Sequence, residues 1–151
     1  MSILNLKLAK STEDLKFLYD TRTDPLIDKM LSGEAPKNFS QHENYIKKNQ
    51  EKTRWIYIAL SDTGDKIGYS QVYDVRDDQL EVGFAIAPNN QGKGFGKKIV
   101  QETIKKAKEV FPGKRIILYV KEENKRAIHI YKKYGFVEKD TKKGLTYMEF
   151  I

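Results

Sequence analysis

Leu80-Glu81-Val82-Gly83-Phe84-Ala85-Ile86 runs through Ala87-Pro88-Asn89-Asn90 into Gln91-Gly92-Lys93-Gly94-Phe95-Gly96-Lys97-Lys98. The first seven residues alternate apolar with small or polar ones, the period of a strand. Pro88-Asn89-Asn90 breaks that strand. Beyond the glycines, Ile99, Val100, Thr103, Ile104, Ala107 and Val110 recur at helical spacing. A glycine-rich loop therefore joins a strand to the first turn of a helix.

Glycine lets backbone approach a ligand closely. A helix N-terminus offers unpaired N–H groups and partial positive charge, and together these make a phosphate site. Lys93, Lys97 and Lys98 add formal charge. A glycine loop of this kind also caps ordinary surface helices. It is not a P-loop, because the Gly-Lys-Ser/Thr spacing is missing. It is a poor dinucleotide fingerprint, because its glycines are spaced by two and its strand lies mid-chain.

Gln91-x-x-Gly94-x-Gly96 resembles the acetyl-CoA signature of the GCN5-related N-acetyltransferases (GNAT), Arg/Gln-x-x-Gly-x-Gly/Ala. Asn124-x-x-Ala127-x-x-x-Tyr131-x-x-x-Gly135-Phe136 resembles the family's C-terminal signature, at the expected distance downstream. The resemblance covers residues 55 to 151 well and the first 54 more loosely. It implies an α/β acyl-CoA N-acyltransferase fold: a mixed, mostly antiparallel sheet of six to seven strands with about four helices. It also implies two central parallel strands that part where Gly83 and Tyr119 sit, admitting the acetyl group and pantetheine.

In chain order, Ile3–Leu8 alternates and reads as a strand. Ser11 with Asp14 three residues on is a loose capping box for a helix carrying Leu15, Leu18 and Tyr19, which ends before Pro25. Thr21–Leu31 carries no clear period. Gly33, Pro36 and Asn38 mark a loop. Ser40 with Glu43 reads as a second capping box, starting a helix that runs to about Lys52. Trp55–Leu60 is nearly continuous in apolar residues, which suits a central strand. Asp62-Thr63-Gly64-Asp65 turns it into Lys66–Tyr73, and Asp74–Asp78 turns that into Gln79–Ile86. Pro112-Gly113 stops the long helix. Arg115–Val120 follows as a strand parallel to Leu80–Ile86. Asn124 opens a last helix that closes on Gly135. Phe136–Lys139 and Leu145–Phe150 make a final hairpin around Lys143-Gly144. The chain of 151 residues reads as one domain.

Acetyl transfer from a thioester to an amine needs a neutral amine, a home for the oxyanion and a proton for the thiolate. The resemblance places Tyr131 beside the thioester sulfur as proton donor. With reference pKa values near 10 and 8.5, full transfer to a free thiolate is uphill by about 2 kcal/mol. Either nearby positive charge lowers the tyrosine's pKa or the proton moves as the thiolate forms. Ala127, Tyr131 and Tyr134 also make an apolar stripe, so a packing role is open. Alternation puts Glu81 on the strand face opposite Leu80, Val82, Phe84 and Ile86. There it can act as base or only hold the amine. Phe84, Ala85, Ile86, Gln91, Gly92, Lys93, Gly94, Phe95, Gly96, Lys97, Asn124, Ala127 and Tyr131 are the expected acetyl-CoA contacts. The oxyanion would take a backbone N–H near Phe84.

The acceptor side is read from Arg22, Met30, His42, Glu81 and Tyr119. Arg22-Thr23-Asp24-Pro25, then Met30, then Ser40-Gln41-His42 resembles a subgroup acting on nucleotide-linked amino sugars, nearest the pseudaminic acid pathway type. That subgroup's usual asparagine is Thr23 here. Acetyltransferases of ribosomal-protein N-termini look similar, and polyamines or aminoglycosides are alternatives. A non-catalytic module binding acetyl-CoA or nucleic acid is the reading from a different class. His129 is expected to be exposed.

The formal charge is +7, which attracts anions generally, and the lysines are scattered over the chain. No nucleic-acid motif and no apolar run of roughly 18 residues is present, so neither nucleic acid nor membrane is the expected partner. Two distant histidines and no cysteine speak against a metal site. The absence of cysteine is compatible with a reducing cytosol, and a cytoplasmic monomer or homodimer is expected.

Overall fold

The computed structural model describes residues 4–76 and 78–151. The expectations for Ile3 and Asp77 lie outside the described residues. One seven-stranded sheet runs through the molecule: β1 (Leu4–Leu8), β2 (Arg54–Ser61), β3 (Lys66–Arg76), β4 (Gln79–Ile86), β5 (Arg115–Lys121), β6 (Phe136–Lys142) and β7 (Leu145–Phe150). Its spatial order is β1-β2-β3-β4-β5-β7-β6, so the last strand inserts between β5 and β6. β4 and β5 are parallel and the other neighbours antiparallel.

Five α-helices flank the sheet, one more than expected: α1 (Thr12–Thr23), α2 (Pro25–Met30), α3 (Phe39–Asn49), α4 (Phe95–Val110) and α5 (Lys125–Lys133). The additional one, α2, fills the stretch that carried no clear period. Asp24 ends α1 and then caps α2 by accepting from the Leu26 N–H at 2.9 Å. Pro25 follows at the first helical position, where a missing N–H costs nothing.

The cap of α1 is as expected: the Ser11 hydroxyl accepts from the Asp14 N–H at 3.0 Å. That of α3 is not. Asn38, not Ser40, is the cap, and Ser40 lies inside the helix. Asn38 accepts from the Gln41 N–H at 2.8 Å, and the Gln41 side chain accepts from the Lys37 N–H at 2.7 Å. Asparagine caps as well as serine, and glutamine at the third helical position reciprocates, so this box outcompetes Ser40 with Glu43. α3 also stops at Asn49 rather than near Lys52. Gln50 leaves the helix to bond the backbone of Ala9 and Ile56 through its side-chain amide.

The hydrophobic interior has two parts, one on each sheet face. Leu80, Val82, Ile99, Val100, Leu118, Ile128 and Met148 pack under α4 and α5. Leu15, Leu18, Ile27, Ile46, Ile58, Tyr69 and Ala85 pack under α1–α3. The assignment of strand faces on β4 is therefore the observed one.

β4 and β5 pair only from Gln79↔Arg115 to Glu81↔Ile117. Beyond that β4 stays on β3 as far as Ile86, and β5 stays on β7. Each strand keeps its antiparallel partner, so the parallel pair opens into a wedge starting at Val82 and Leu118. β3 holds β4 at close range here. A β-carbon on Gly68 would lie 2.1 Å from the Ala85 carbonyl oxygen, so only glycine fits.

Candidate active site

Two cavities flank the sheet where β4 runs on beyond its pairing with β5. The first, about 420 Å³, lies between β4, the Gln91–Gly96 loop, α4 and α5. Gly92 and Gly94 sit at φ +76° and +84°, a left-handed conformation that suits glycine. Gly94 is the N-cap of α4 and has no side chain, so the first N–H groups of that helix meet no capping group. The Gln91 amide donates to the Ile86 carbonyl at 3.0 Å and ties the loop to the end of β4. Gly96 packs close to Ile130, its would-be β-carbon 3.7 Å from the Ile130 Cδ1.

Of the thirteen residues expected against acetyl-CoA, Lys93 alone lies off this wall, exposed to solvent; the other twelve line it. Met30, expected on the acceptor side, lines it too, because α2 carries it beneath β4. Sequence reasoning missed Arg126 and Lys133, which line it from α5. Their signal was spacing: Arg126, His129 and Lys133 recur at three and four residues, a stripe beside that of Ala127 and Tyr131.

Tyr131 is half-buried, its ring centroid 5.6 Å from that of Phe84 and 6.1 Å from that of Phe136. Burial pushes its pKa well above the ordinary tyrosine value. Among the described residues no neighbouring charge acts against that shift. Asn124 uses its side-chain oxygen to accept from the Ala127 N–H at 3.3 Å, capping α5. His129 is exposed, as expected.

The second cavity, about 550 Å³, lies on the opposite sheet face between β2, β3, α1, α3 and the Ser32–Lys37 loop. Gln71, which lines it, is the register partner of Gly83, and its side-chain nitrogen would sit 3.3 Å from a β-carbon there. Tyr69, also lining it, is paired with Ala85 of the first cavity. The second cavity thus lies over the β3 residues paired with Glu81, Gly83 and Ala85, whereas Ala85 itself lines the first, where the parallel strands part.

Arg22 and His42 line this second cavity. The Arg22 guanidinium also braces α2, donating to the Asp28 carboxylate at 2.7 Å and the Gly33 carbonyl at 3.2 Å. His42 packs against Tyr19, and its Nδ1 is buried without a partner. Burial, then the Arg22 charge, holds its pKa below the ordinary histidine value, so the ring is neutral at neutral pH. Missed from sequence was Arg54. Its guanidinium stands 4.1 Å from the Tyr73 ring centroid and 5.2 Å from that of Tyr45, and it donates to Gln71 at 2.9 Å. Nothing in the period of β2 distinguishes an arginine at its start from a solvated one.

Besides Met30, two residues read as acceptor contacts do not wall this cavity. Tyr119 is 46% exposed and stacks on its β7 register partner Tyr147 at 5.4 Å. Once β4 and β5 part, β7 supplies its nearest ring. Glu81 is half-buried across from Tyr73, its register partner. Burial raises the Glu81 pKa, partly offset by Tyr73 and Arg54.

Residues 4–137 match the model of the acetyltransferase (GNAT) domain. The chain belongs to the GNAT family. This GNAT chain is an N-acetyltransferase with acetyl-CoA as acyl donor and an amine as acceptor. It is 25% identical over 128 residues to a spermidine N(1)-acetyltransferase of Vibrio cholerae, covering 83% of this chain and 74% of the relative. It is 31% identical over 97 residues to the ribosomal protein bS18-alanine N-acetyltransferase of Haemophilus influenzae, covering 64% and 65%. It is 23% identical over 133 residues to the acetyltransferase PseH of Campylobacter jejuni, covering 88% and 83%. The V. cholerae spermidine N-acetyltransferase solved with CoA and spermine superposes with a TM-score of 0.87 at 22% identity, covering 97% of this chain and 94% of that one. At that identity the likeness speaks for the fold. Among the described residues no helix is long and apolar enough to cross a membrane, and no cluster of three metal-ligating side chains is found.

Proposed function

We propose that this GNAT enzyme acetylates the primary amine of a small molecule that also carries negative charge, a nucleotide-linked amino sugar. The first cavity takes acetyl-CoA, and the second takes the acceptor. The observation that carries this reading is the charge on the second cavity's wall. Arg22, Lys37 and Arg54 line it, against one carboxylate, Glu34. A pyrophosphate gains from such a wall, and a polyamine with several ammonium groups is repelled by it. Tyr45, Tyr69 and Tyr73 line it too and offer ring faces for a sugar or base.

In this reading the amine attacks the thioester carbon at the gap beside Gly83–Ala85. Glu81 receives the amine's proton. Tyr131 protonates the departing thiolate as it forms, because its buried phenol holds its proton until then. The loop N–H groups and the start of α4 hold the donor's pyrophosphate, with Lys97, Arg126 and Lys133 adding charge around it.

A polyamine acceptor is the second reading, favoured by the V. cholerae relative's name and by the matching fold. The deciding experiment follows thiol release from acetyl-CoA with nucleotide-linked 3-amino and 4-amino deoxysugars, free amino sugars, spermidine and short peptides. Turnover stimulated by a nucleotide-linked amino sugar, with an acceptor KM raised about tenfold in Arg54→Ala, supports the reading; that loss is about 1.4 kcal/mol. Stimulation by spermidine alone, with KM lowered by Arg54→Ala, would replace it with the polyamine reading. Stimulation by peptides alone would move the acceptor to protein N-termini.

A further inference from the structure

The base of the proposed reaction is not where the acceptor is. Glu81 lines neither cavity, whereas Tyr73 walls the acceptor cavity. The two are directly opposed on β3 and β4 and point to the same sheet face. Their side chains act on each other's ionisation: the Glu81 carboxylate, after burial, holds the Tyr73 phenol up, and Tyr73 pulls the Glu81 pKa down against its burial. Arg54 covers the Tyr73 ring at 4.1 Å and holds Gln71, which lies over Gly83 at the strand gap. The tyrosine is thus held between Arg54 and its strand, directly across from Glu81.

Resting on the acceptor placement proposed above, we infer that Tyr73 is a catalytic residue that relays the amine's proton to Glu81. As the nitrogen bonds the thioester carbon, its N–H bond breaks and the proton passes to the Tyr73 oxygen. In the same motion the Tyr73 O–H bond breaks and that proton passes to the Glu81 carboxylate. Tyr73 begins and ends as a neutral phenol. When the carbonyl re-forms, the C–S bond breaks and Tyr131 protonates the sulfur. Solvent then returns the Glu81 proton to Tyr131, so the sum is amine plus thioester giving amide plus thiol. The reluctance of Tyr73 to ionise, from burial and from Glu81, suits a relay in which phenolate never accumulates. The charged and titratable groups facing the pair are Arg54 and Tyr45.

The test uses the amine that turns over best and the variants Tyr73→Phe, Glu81→Gln and both together. The relay predicts about a 10²-fold fall in kcat/KM for the acceptor in Tyr73→Phe, with CoA binding kept. It predicts that the acid limb due to Glu81 vanishes from the variant's pH profile, and that adding Glu81→Gln costs nothing more. An acid limb that persists at the same pH, or losses that multiply in the double variant, would reduce Tyr73 to a residue that positions Glu81. A second measurement needs no variant. The wild-type rate in mixed light and heavy water should curve with the deuterium fraction, because two protons move together. A linear dependence would overturn the relay while leaving the acceptor reading intact. A wild type that turns over no amine would overturn both.

Discussion

The two faces of the sheet solve different problems. Under α4 and α5, a long amphipathic helix and a short one close over the wedge, and the cavity is cut by backbone: glycines, a bare helix start and the parted strand. Under α1–α3, two shorter helices, α1 and α3, and a loop enclose a cavity defined by side chains. The contrast suits the tasks. The donor is the same for the whole family and can be read by main-chain N–H groups. The acceptor varies, and side chains are what varies.

If β3 must hold β4 at close range for the wedge to open, damage to that contact should outweigh damage elsewhere along the two strands. Gly68→Ala puts a methyl against the Ala85 carbonyl and the Ile86 Cα, both backbone atoms that cannot step aside. A loss of about 3 kcal/mol or more in urea unfolding is expected. Gly83→Ala meets only the flexible Gln71 side chain and should cost clearly less. Equal losses would deny the close β3–β4 contact at Gly68 its special place.

On the donor side, Tyr131→Phe should lower turnover about 10²-fold or more with CoA affinity nearly unchanged, read by thiol release and by calorimetric titration. Unchanged turnover would leave that face a binding surface only.

The side-chain face depends on local caps that the sequence leaves ambiguous. Asn38→Ala should cost about 1 kcal/mol in thermal or urea unfolding, and Ser40→Ala roughly 0.5 or less. The reverse order would restore the cap read from sequence.

The smallest effect is a pH dependence. The Glu81 pKa is higher in the folded chain than the ordinary value, so the folded state holds that proton more tightly than the unfolded one. Its contribution is therefore lost as pH rises through the folded value. Glu81→Gln cannot ionise. Its Tm should match wild type near about pH 4 and exceed it toward neutrality. A Tm gain that is the same at every pH would show that ionisation is not the cause. The same variant should be less active, so stability and turnover move in opposite directions.

Legibility in the sequence follows the same division. The donor face was read almost residue by residue, because glycine spacing and strand alternation are what build it. Lys93 was the exception, for a charge between two glycines says nothing about which way its side chain leaves. On the acceptor face, α1 was visible and α2 was not: six residues are too few to show a period, although Asp24-Pro25 carried its start signal. Two capping boxes overlapped at residues 38–43, and the nearer neighbours decided between them. Tyr119 was placed by the resemblance alone, which does not tell that Tyr147 would claim its ring. Arg54 was passed over because its partners, Tyr45, Gln71 and Tyr73, converge only in three dimensions.

The strand order has a consequence for synthesis. β5 leaves the ribosome well before β7, yet β7 is the strand that covers its far edge along most of its length. Until then β5 holds the sheet by three residue pairs to β4. A nascent chain paused in that interval shows a row of unmet N–H and C=O groups on an apolar strand, the kind of edge that recruits other chains. Slow translation across Lys121–Lys143 should therefore raise aggregation or chaperone occupancy more than an equal pause inside α4.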